Sequence, residues 1–184
     1  MRNKLSRADV FDVNKTSGAL ILGSNRLDDY ASKYLSHICR DALTSPIPLP
    51  VEDILAEQGL TVIEVRLSRN LDIFGCCLLL DGDVQVYNPE LDCMETKHYP
   101  AGTILIDPDF AAFYGEGAKR NTLMHEALHW EKDKRYFEIL QVKNKRASET
   151  LYPIMCRASS SNYTPAEGSR TMASEVQWLE WQAH

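Results

Sequence analysis

The chain has no apolar run of membrane-spanning length, no Cys-x-x-Cys pair and no glycine-rich phosphate-binding loop. Each lack closes off a class of function. Crossing a bilayer takes about 20 consecutive apolar residues, so no transmembrane helix is expected. Met1-Arg2-Asn3-Lys4 is followed by no long apolar segment, so no secretory signal is expected either. The cysteines, Cys39, Cys76, Cys77, Cys93 and Cys156, form an odd set that suits free thiols in a reducing cytoplasm rather than a disulfide framework. Without Cys-x-x-Cys spacing, a cysteine zinc knuckle is not expected. Positive charge is also in short supply. With 20 Lys and Arg against 26 Asp and Glu, the net charge of −6 has the wrong sign for broad binding to phosphate backbones. The one basic stretch, Lys132, Lys134, Arg135, Lys143, Lys145 and Arg146, is interrupted by Glu131, Asp133 and Glu138 and reads as a solvated helix face. Direct nucleic-acid binding through it is the least favoured function.

At 184 residues the chain suits one compact domain that can bury a core without disulfides. Residues 1–24 show no sustained period and read as an N-terminal arm; residues 25–184 read as the domain. Leu27, Tyr30, Ala31, Tyr34, Leu35, Ile38, Cys39 and Ala42 fall at helical spacing. The prolines at 46, 48 and 50 force extended backbone, and a short helix follows with Val51, Ile54 and Leu55 as its buried stripe and Gly59 as its stop. Residues 60–66 alternate as an edge or half-buried strand. The runs 73–80 and 84–87 flank Asp81-Gly82-Asp83 and read as a β-hairpin, with Cys76 and Cys77 packing as small apolar residues. Residues 88–102 read as an irregular polar loop and Thr103–Ile106 as a final strand. A loop through Gly115 and Gly117 then leads into a helix, residues 156–171 form another loop, and a last helix runs from Met172 to Ala183. No internal repeat and no βαβ alternation is evident, so the fold class is α+β.

His125-Glu126-Ala127-Leu128-His129 is the segment that carries chemistry. Residues four apart on an α-helix sit one above the other, so both imidazoles can face one metal ion while Glu126 flanks the open coordination position. From there a carboxylate can take a proton from a water that the ion has acidified. Two histidines do not hold a catalytic zinc alone; a third protein ligand is required. His98 and acidic residues on either side of the motif are candidates. In the last helix Met172, Val176, Leu179 and Ala183 make an apolar stripe, and Glu180 lies beside it, where a carboxylate drawn inward needs a cationic partner. The bland reading of Glu180 is a rim acid with its head in water, and Glu175 is the fallback ligand.

Several segments together resemble the ImmA/IrrE-type zinc metallopeptidases, gluzincin-like HExxH proteins of the bacterial cytoplasm. Thr103-Ile104-Leu105-Ile106-Asp107-Pro108 is similar to the family's strand ending in an Asn-Pro or Asp-Pro step. Lys119-Arg120-Asn121-Thr122-Leu123 is similar to the basic pair and Thr-Leu that lead into HExxH, and Leu179-Glu180-Trp181-Gln182-Ala183 to the family's acidic helix. Pro50-Val51-Glu52-Asp53-Ile54-Leu55 with the strand after it resembles the opening helix and strand. Two departures stand out: Leu128 occupies a position where the family commonly has Gly, and the acidic helix stops at His184, short of the family's continuation.

The resemblance implies a zincin-like fold, a small antiparallel or mixed sheet of three or four strands against the HExxH helix and several other helices. It implies one Zn2+ held by His125, His129 and Glu180, with Glu126 as general base. It also implies a regulatory endopeptidase acting on a protein such as a DNA-binding repressor, with Thr103–Ile106 able to bind substrate backbone as an added strand. His98, Tyr99, Tyr114 and Tyr163 are candidate oxyanion donors. The alternative function is a weakly active or inactive zincin-like protein-binding module whose metal is structural or absent.

Overall fold

The computed structural model describes residues 11–14, 17–144, 154–157 and 172–183. The chain opens with a two-stranded ribbon of β1 (Asp12–Val13) and β2 (Leu20–Ile21), then helix α1 (Leu27–Ile38) and, after the prolines, helix α2 (Val51–Glu57). Strands β3 (Thr61–Glu64), β4 (Ile73–Cys77), β5 (Gly82–Asn88), β6 (Cys93–Tyr99) and β7 (Thr103–Ile106) follow. Short helix α3 (Phe110–Tyr114), long helix α4 (Glu116–Asn144), strand β8 (Ile154–Arg157) and helix α5 (Met172–Ala183) complete the order. The architecture is α+β, as the sequence implied. Its main sheet is mixed and four-stranded, in the order β3-β7-β4-β8, with β3 parallel to β7 and β4 antiparallel to both neighbours.

β7 is the centre of the molecule because its residues are apolar on both faces. Ile104 and Ile106 pack with Leu123 and Ala127 of α4, whereas Leu105 turns to the opposite face and meets Val84 and Val86. The same alternation splits the adjacent cysteines, Cys77 toward α4 and Cys76 away from it. Both are fully buried free thiols, consistent with their reading as small core residues. Val51, Ile54 and Leu55 are buried, which matches the stripe read for α2.

The expected hairpin is wrong in its pairing. β4 does not turn back on β5; it joins the main sheet, and β5 pairs instead with β6 over its whole length from Gly82↔Tyr99 to Asn88↔Cys93. Residues 93–99 of the stretch read as a polar loop are therefore strand β6. Their polar letters hid it, since most β6 side chains are exposed and its order comes from backbone pairing. Asn88 sets the turn, its Oδ1 accepting from the Glu90 and Leu91 amides at 2.9 and 3.3 Å.

Two smaller corrections follow, and one observation on the N-terminal segment. The stretch before the motif helix contains α3, with Gly115 at φ 86° as the break, and Gly117 already belongs to α4. Thr103–Ile106 is not the final strand, because β8 follows and overlaps the loop read from residue 156. Within the segment read as an arm, Leu20 and Leu22 are buried and Ala19 packs against the α4 core.

Candidate metal centre

α4 spans 29 residues and runs through the core carrying polar side chains. Going around its circumference at about 100° per residue, Leu123 and Ala127 face β7, then Thr122 and Glu126 face β4, and His125 and His129 come next. The close approach of helix and sheet depends on Gly75. A Cβ there would stand 2.7 Å from Thr122 Cγ2 and 3.3 Å from Glu126 Oε1.

The four-residue spacing does what the sequence required of it. His125 Nε2 and His129 Nε2 lie 3.0 Å apart, and α5 brings Glu180 to them, Oε2 at 3.4 Å from His125 Nε2 and Oε1 at 3.6 Å from His129 Nε2. Around a tetrahedral ion with bonds of about 2.0–2.1 Å, donor atoms stand about 3.3–3.4 Å apart. The observed spread brackets that value. His125, His129 and Glu180 can hold a metal ion.

Electrostatics give a second test of fit. The core around the two imidazoles holds three carboxylates, Glu126, Asp133 and Glu180, against the ammonium of Lys132. With the imidazoles neutral and all three acids ionised that set would carry two excess negative charges, which a divalent cation would cancel and which protons balance in its absence. Glu126 is fully buried, and among the described residues neither carboxylate oxygen makes a side-chain hydrogen bond, the Cys77 backbone being the polar group near it. Burial, with Glu180 adding repulsion, pushes its carboxyl up to about 8, while His129 pulls the other way. Burial alone would lower His129; hydrogen bonds with Asp133 and Glu180 outweigh it and lift the imidazole to about 9. Glu180 shows the converse balance: burial would raise it, but its contacts with His125 and His129 draw it down to about 2. Groups that stabilise a proton here stabilise a cation in its place.

Sequence reasoning missed Asp133. It lies one helical turn after His129, and its Oδ2 accepts a hydrogen bond from His129 Nδ1 at 2.7 Å, which leaves Nε2 turned toward His125 and Glu180. The i, i+4 spacing that picked out the histidines would have found it. Lys132 and Asp133 also correct the reading of a solvated basic face, since both side chains are fully buried. Lys134 lies over the Trp130 ring, 3.7 Å from its centroid. Lys145 and Arg146 lie outside the described residues, and so does the side chain of Lys143.

The remaining candidates are scattered. His98 is exposed on β6, with Nδ1 2.7 Å from Asp83 Oδ1, and is not part of the ligand group. Tyr99 packs against the cluster on the sheet face away from α4, which removes it as an oxyanion donor. Tyr114 stacks on Phe74, the neighbour of Gly75, with centroids 5.1 Å apart. Tyr163 and the side chain of Glu175 lie outside the described residues. No described helix is long and apolar enough to cross a membrane. Comparison of the chain with protein-family models, with curated proteins and with solved structures finds no match.

Proposed function

We propose that the chain is a zinc-dependent endopeptidase of the ImmA/IrrE type that makes a specific cleavage in a cytoplasmic protein, a DNA-binding repressor being the kind of target the resemblance suggests. The observation that carries this reading is the convergence of Glu180 on His125 and His129 from a separate helix, at 3.4 and 3.6 Å. A bound zinc ion polarises the scissile carbonyl and acidifies the attacking water. His125, His129 and Glu180 hold the ion; Asp133 keeps His129 in the ligating tautomer. Glu126 takes the proton from the attacking water and delivers it to the leaving amine, and a buried carboxylate with no side-chain hydrogen bond suits a group kept for proton transfer.

β7 cannot accept a substrate strand, because β3 and β4 pair with it on both sides. Among the described residues the sheet edges are β3 and β8. We assign substrate backbone to the outer edge of β8, whose partner β4 carries the Gly75 that faces Glu126.

Complete burial of Glu126 and His129 favours one alternative, a protein-binding module with a structural ion. The two readings separate in cells expressing the unaltered chain or Glu126→Gln, with new protein N-termini profiled by mass spectrometry. Endopeptidase action gives a small set of termini that vanish in Glu126→Gln while zinc content is kept. Identical termini in both strains would leave only the binding module.

A further inference from the structure

The core beside the ligands holds a buried cation that metal coordination does not itself require. Lys132 is only 3% exposed, with Nζ 2.6 Å from Asp133 Oδ1 and 3.4 Å from Gln182 Oε1. Gln182 is buried as well, and its Nε2 donates to the carbonyl of buried Leu22 at 3.3 Å. A continuous polar path therefore runs from His129 through Asp133, Lys132 and Gln182 to the segment after β2. It crosses from α4 to α5 and then to the N-terminal ribbon.

His125 and His129 need no outside help to stay in register, because one helix presents both. Glu180 has no such guarantee. It comes from α5, which Leu179 anchors in the apolar core, and apolar burial is non-directional, so it fixes depth better than rotation. A buried ammonium is the opposite kind of contact: it is costly unless its protons meet acceptors, so few geometries satisfy it. Gln182 stands two residues after Glu180 in the same helix. Pinning its amide at both ends therefore sets the rotation and height of the carboxylate.

We propose that Lys132 and Gln182 are positioning residues of the metal centre, locking the Glu180 helix to the histidine helix, with the Leu22 carbonyl holding the lock from the N-terminal side. The proposal rests on the metal-centre reading and extends it to residues that touch no ion. It also makes the Leu22 carbonyl part of the centre's support.

The test loads the full chain with Co2+, whose visible absorption reports ligand geometry, and compares the unaltered protein with Gln182→Met and Gln182→Glu. Lys132→Met is a poorer probe, since it strands the buried Asp133 charge. Gln182→Met is expected to weaken Co2+ binding about 10-fold or more and to change the visible spectrum, beyond the lowering of the metal-free melting temperature that follows from leaving Lys132 and the Leu22 carbonyl each one partner short. Gln182→Glu, which keeps an acceptor for Lys132 but loses the donor to the Leu22 carbonyl, is expected to restore the spectrum only in part. Unaltered affinity and spectrum in Gln182→Met would overturn the proposal while leaving the metal centre standing. A lower metal-free melting temperature with unaltered affinity and spectrum would overturn it too, by making the network merely structural. Failure of the unaltered chain to bind Co2+ would remove the metal centre itself, and this proposal with it.

Discussion

At the scale of single residues, the proposed metal centre depends on which nitrogen of His129 faces inward. Asp133 decides that by accepting a hydrogen bond from Nδ1–H at 2.7 Å. Asp133→Asn keeps an acceptor but loses the charge, so zinc affinity should fall about 10–100-fold in a competition titration against a chromophoric chelator. Unchanged affinity would mean that His129 is oriented by something else. Gly75 tests the packing rather than the chemistry. Gly75→Ala places a methyl carbon 2.7 Å from Thr122 Cγ2, and overpacking of this kind costs about 1–3 kcal/mol, readable by urea denaturation. The candidate ligand group was legible in the sequence because i, i+4 spacing and an apolar stripe both leave letters. Lys132 and Asp133 were not, because a charged pair on a helix looks the same whether it faces water or the core. Only their full burial separates the two cases.

At the scale of elements, β7 is the strand the site leans on, and it is sealed on both faces and both edges. Leu105→Ala should cost about 2–5 kcal/mol. Val62→Ala, on the exposed edge strand β3, should stay within about 0.5 kcal/mol. Equal effects in urea titrations would contradict the assignment of centre and edge. The helices and β7 were readable in advance because their apolar residues recur at a fixed period or run unbroken. The hairpin was not, since Ile73–Cys77 is buried on both faces and belongs in a sheet centre, while Cys93–Tyr99 shows no apolar period at all. β6 exists because β5 needs a backbone partner, and its exposed side chains record none of that.

At the scale of the whole molecule, the histidine helix, the Glu180 helix and the residue after the N-terminal ribbon meet around an acid-rich cluster whose protons a divalent ion can displace. A divalent ion should therefore stabilise the entire fold. At a free zinc concentration about 100 times the dissociation constant the gain is about 2.7 kcal/mol, several degrees in melting temperature, and a chelator should reverse it. The zinc K-edge X-ray absorption spectrum of the purified chain reads the ligand shell most directly. We expect one zinc per chain, with a shell fitted by two imidazole nitrogens and carboxylate oxygen at about 2.0–2.2 Å, and with the oxygen contribution altered in Glu180→Ala. A chain that carries no zinc, or a shell unchanged by Glu180→Ala, would contradict a centre built from His125, His129 and Glu180.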